Sequence, residues 1–159
     1  MYGGVQLDIS PELPTFDRVS KISDYIQSIE NTCTKQIIKE LEGNKATKAK
    51  SIVESYFQTS PMTYRTNSDA LAMKLSQDEA SKIIKRLSDT ICGFVTEITK
   101  TAGVSGNAYL EAGTLSCMGK IKATLNTSIR NLIVNILFSP IKSEIQLHHS
   151  NYFDHCTIS

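Results

Sequence analysis

The residues best equipped for chemistry crowd the C-terminal end, where "HHSNYFDHC" gathers His148, His149, Asp154, His155 and Cys156. Imidazole, carboxylate and thiolate all ligate zinc and related transition metals. A terminal cluster seldom carries a preformed geometry, and no second cluster completes this one, so the expectation is neither a metal nor any other cofactor. Nucleophilic catalysis would need a thiol or hydroxyl beside a base and an oxyanion site. All three histidines stand in the tail, and nothing in the order of residues brings Cys33, Cys92 or Cys117 to them. "GTLSCMGKI" imitates a phosphate-binding loop, but five residues separate Gly113 from Gly119 where the motif needs four. Ile121 also occupies the place of its magnesium-binding Ser or Thr. The chain is read as something other than an enzyme.

Cations are the more suggestive residues. Seventeen lysines and arginines against sixteen acids leave a formal charge of +1, so any polyanion site must be local. Lys45, Lys48 and Lys50 open one helical block, and Lys120 and Lys122 follow a Gly/Ala/Ser-rich stretch, 101–113, that a ligand could order. Lys45, Lys48, Lys50, Lys120 and Lys122 are the cations such a site could use for phosphate contacts. Four cysteines without a C-x-x-C pair read as small apolar residues in a reducing compartment. "MYGGVQLDISPELP" has no basic region leading into an apolar core, so no secretory leader is expected. No apolar run approaches about 18 residues, so no membrane partner is expected either.

These residues must be positioned by helices. The chain is long enough for one domain, 1–159, with an extended arm over 1–14. Helix A steps by threes and fours through Val19, Ile22, Ile26, Ile29, Cys33, Ile37 and Leu41, and Gly43 is its stop signal. Helix B places Ala49, Ile52, Val53, Tyr56 and Phe57 on one face before Pro61. Helix C starts at the capping box of Ser76 and Glu79 and runs to about Lys100. The flexible loop 101–113 follows, and helix D extends from Leu115 to Phe138, ended by Pro140. The stretch 141–159 reads as an irregular surface tail. The expected fold is all-α, an antiparallel up-down four-helix bundle.

Helix D carries more apolar surface than a lone bundle uses. Ile129, Leu132, Ile133, Ile136 and Leu137 make one stripe, while Val134 and Phe138 make a second on the opposite side. Val134 and Phe138, with Tyr56 and Tyr64, are the expected contacts between copies of the chain.

Several short stretches, in order, carry a resemblance: Cys33-Thr34, "AKSIVESYF" from Ala49 to Phe57, Ser60-Pro61 followed by Arg65, Asp89-Thr90, "NLIV" from Asn131 to Val134, and "NYFDH". Their order and spacing resemble the coat proteins of rod-shaped plant viruses of the tobamovirus type. The resemblance implies a virion subunit, met in the host cytoplasm, that polymerises with itself and packages single-stranded RNA. It also implies Lys50 in place of an arginine and Thr127 in place of an inner-face serine, while Lys120 replaces an aspartate. The family's other arginines fall on Ile91, Gly93 and the stretch 116–120. The alternative class is a helical adaptor that receives a partner helix and binds no RNA.

Overall fold

The computed structural model describes residues 13–60, 67–101, 104 and 106–158, with 101 and 152–158 described by their backbone. Every regular element among them is helical, as the periodicity requires. Helix α1 spans Thr15–Thr59, α2 spans Ser68–Thr101 and α3 spans Ala108–Thr124. A π-helical turn, Leu125–Ile129, leads directly into α4, Arg130–Ile158. The chain forms two compact units. Unit one takes α1 up to Ile37, α2 from Ile84, α3 and the π turn; unit two takes Ile38–Ile83 and α4.

The boundaries differ from the sequence expectation for identifiable reasons. Helices A and B are one helix, because Leu41, Ala49, Val53 and Phe57 are all buried and continue the apolar period across Gly43. Burying each large side chain contributes about 1.5–3 kcal/mol, against about 1 kcal/mol lost at a mid-helix glycine. The left-handed backbone of a glycine stop is absent there: among the described residues only Gly106 has a positive φ, 88°. Asn44 instead donates to the Glu40 carbonyl at 3.1 Å within the helix.

Helix α2 begins eight residues before Ser76. The Asn67 side chain accepts from the amides of Asp69 (2.8 Å) and Ala70 (3.2 Å), which supplies the N-cap. Ser76 is buried inside the helix and donates to the Ala72 carbonyl at 2.6 Å. Glu79 pairs with Lys48 at 3.0 Å instead of reaching back to a cap. Leu71, Ala72 and Leu75 are buried, so packing extends the helix toward its N-terminus.

Two further expectations are corrected in the third helical stretch. Residues 108–113, expected in the loop, form the first turns of α3, capped by Asn107 through the amides of Tyr109 and Leu110. The expected surface tail is helical, and α4 passes through Pro140. An interior proline costs about 3 kcal/mol or more. Ile133, Leu137, Ile141 and Ile145, four residues apart, are all fully buried, and the last two offset that cost.

Both units contain fully buried apolar residues. In unit one, Ile22, Ile26 and Ile29 of α1 are fully buried, as are Leu87 and Ile91 of α2, Leu110 of α3 and Leu125 of the π turn. The helices approach closely at Gly113, where an added Cβ would lie 2.8 Å from Val19 Cγ1. In unit two, Val53, Ala72, Ile133 and Leu137 belong to the buried set. The chain is thus all-helical, as expected, with each unit built from segments of three long helical stretches.

Candidate functional site

Unit one carries an apolar groove of about 410 Å³ between the second half of α2 and α3. Along α3 it is lined by Glu111, Thr114, Leu115, Met118 and Lys122; Cys92, Val95, Thr96 and Thr99 of α2 and Val104 complete it. Its threonines are apolar in effect. Thr96 donates to the Cys92 carbonyl, Thr99 to that of Thr96 and Thr114 to that of Leu110, each at 2.8 Å. With the hydroxyls turned to their own helices, the methyl groups remain for the groove.

Leu115 is 71% exposed on its wall, and Tyr109, earlier on α3, is 76% exposed. Leu115, the expected first residue of helix D, lies off the buried face of α3. The buried positions of α3 are Leu110, Thr114, Cys117, Met118 and Ile121 instead. After Leu125 the π turn inserts one residue into the period, and burial moves to Ile133 and Leu137, leaving Leu132 exposed. The sequence carried one signal for the groove: Glu111, Leu115, Met118 and Lys122 recur at helical spacing, obscured by reading their first member as loop.

The cations do not gather at one place. Lys50 is exposed on α1 in unit two, on a shallow polar face with Thr47, Ser51, Ser55 and Gln58, and with Glu54 among them. Lys48 beside it is held by Glu79. Lys120 is exposed on α3 in unit one, and Lys122 stands at one end of the groove. Thr127 lies in the π turn, and its hydroxyl donates to the Ala123 carbonyl at 2.9 Å, so its hydrogen goes to the helix backbone.

The expected contact residues of α4 differ in burial. Val134 is buried and Phe138 is half-buried, because α4 is covered on a wider arc than one stripe. Tyr56 is half-buried, its ring edge-on to Phe57 (5.6 Å between centroids) with Lys74 Nζ 5.5 Å away. Tyr64 lies outside the described residues. The tail histidines are drawn into packing: His148 stacks on Phe57 at 5.0 Å and His149 meets it edge-on at 5.9 Å. Burial, and then the neighbouring His148, push the His149 pKa below its ordinary 6.5, and its Nε2 is buried without a hydrogen-bond partner. The side chains of Asp154, His155 and Cys156 lie outside the described set.

Two buried groups in unit one are structural. Glu30 is 5% exposed, accepts from Gln27 Nε2 at 2.8 Å, and burial raises its pKa above 4.5. Burial, and then the Glu30 charge, raise the Cys33 thiol above 9.0, which favours the unreactive protonated form. Ser23 Oγ donates to Cys117 Sγ at 3.7 Å. No helix among the described residues is long and apolar enough to cross a membrane. No protein-family model, no curated protein and no solved structure matches the chain.

Proposed function

We propose that this chain is a structural subunit that associates with copies of itself, and that in its most specific form it is a coat subunit carrying single-stranded RNA. The observation that carries the self-association is the apolar groove of unit one with the exposed Leu115 on its wall. Apolar surface left over after the core has closed is what a partner covers. Val134 is buried, and the half-buried Phe138 and Tyr56 are further expected contacts besides those of this groove. The RNA reading rests on the resemblance, and the exposed Lys50 and Lys120 support it. Neither has a carboxylate in ion-pair range among the described residues. Lys122, which lines the groove, and the exposed Thr127 belong to the same expected set. The subunit so proposed is built from three long helical stretches, so the four-helix bundle of the resemblance is not carried over.

Electron microscopy of the purified protein, with its ultraviolet absorbance ratio, tests both halves. Rods or filaments with nucleic-acid absorbance are expected. A protein that stays monomeric at high concentration across pH and salt refutes the self-association. Assemblies with the absorbance of protein alone refute the RNA half. A fixed complex with a helix of another protein points to the adaptor class instead.

A further inference from the structure

We propose that the groove of unit one is closed by the same groove of a second copy, α3 against α3 in antiparallel orientation about a two-fold axis. This rests on the self-association reading and specifies one contact of it: a two-fold interface closes on itself, so it defines a dimer, and a rod built from such dimers needs further contacts outside the groove. The strip along α3 reads Glu111, Leu115, Met118, Lys122, at successive steps of four, three and four residues. These steps keep one helical face, about 16 Å long.

The strip is self-complementary only one way round. Antiparallel, Glu111 stands opposite Lys122 of the second copy and Leu115 opposite Met118 of the second copy, and the two-fold axis repeats both pairings. Parallel, Glu111 would face Glu111 and Lys122 would face Lys122, a repulsion at each end. Charge complementarity therefore selects both the occupant and its direction.

The surroundings allow the approach. Helices pack at about 8–10 Å between axes, which needs small residues beside the contact line. Ala112, Gly119 and Ala123 flank the strip and are exposed, and a Cβ added at Gly119 would meet nothing within 4 Å. Leu115, 71% exposed in one copy, would enter the second copy's groove between its α3 and the α2 wall of Val95, Thr96 and Thr99. Lys122 has no carboxylate in ion-pair range among the described residues, and Glu111 accepts the Gly106 amide at 3.0 Å through one oxygen, Oε1. Both charges thus remain for the second copy.

Sedimentation velocity over a concentration series tests this on the full chain, with circular dichroism as a check on folding. The wild type is expected to show a two-fold species, and Leu115→Asp to lose it while keeping its helicity. Lys122→Glu alone should weaken the association about tenfold, since it turns two attractive pairs per dimer repulsive. Adding Glu111→Lys to it should restore the association. Association that survives Leu115→Asp overturns the groove as the interface while leaving self-association intact. A double charge variant no better than the single overturns the antiparallel pairing. A wild type that never associates overturns the broader reading as well, so the failures are distinguishable.

Discussion

Two glycines on one helix show how much a single position can decide. Gly113 and Gly119 both sit inside α3, where alanine is the better helix former by about 1 kcal/mol. At Gly119 nothing opposes the methyl group, so Gly119→Ala should stabilise the monomer by about 0.5–1 kcal/mol. At Gly113 the same methyl would be driven against Val19, whose branched side chain has little freedom within α1, and overpacking costs about 1–3 kcal/mol. Gly113→Ala should therefore destabilise; urea unfolding of the two variants should give shifts of opposite sign. Glu30 makes a second test at this scale. Its carboxyl is held above 4.5 in the folded chain, so what it contributes is fully present below that value and is lost as pH rises through the raised one. Glu30→Gln keeps an acceptor for Gln27 and removes the charge. The variant should be more stable than wild type near pH 7, the difference closing as pH falls toward 4.5; equal stability across that range would show the burial to be compensated by groups around it.

At the scale of elements, the first half of α1 was legible in the sequence because Ile22, Ile26, Ile29 and Cys33 are both periodic and buried. The division at Gly43 was not, because a stop signal is a local preference and the burial of Leu41, Ala49, Val53 and Phe57 is a property of packing. The same conflict explains Pro140, where the buried Ile141 and Ile145 outweigh a residue that ends most helices. Residues 108–113 were missed for another reason: "AYLEAG" has too few large apolar residues to show a period, so the Asn107 cap is its clearest marker. The groove was hidden with it. These two readings of Gly43 predict opposite outcomes. Inside a continuous helix, Gly43→Ala should stabilise by about 0.5–1 kcal/mol. As the left-handed stop of a separate helix, the same change would destabilise by about 1–2 kcal/mol. Thermal and urea unfolding of this one variant distinguish them, and the negative φ and the open space around Gly43 point to the gain.

For the whole molecule the decisive quantity is charge, and +1 gives no long-range field to gather RNA. An assembly built from such subunits would hold nucleic acid through a few cations repeated once per copy, since counterion release adds along the polymer. Lys50 and Lys120 are the cations to test, because the two form no ion pair among the described residues whereas Lys48 and Lys142 are held by Glu79 and Asp69. Each phosphate contact removed from a single strand should flatten the dependence of log K on log salt by about 0.7. Lys50→Ala with Lys120→Ala should therefore reduce the slope by about 1.4 per subunit bound, with the same loss for every RNA sequence, because phosphate contacts carry no base preference. Nitrocellulose retention of labelled oligonucleotides across a salt series measures it. A slope unchanged in the double variant would move the RNA to other cations, and a loss confined to particular sequences would mean that these lysines touch bases rather than backbone.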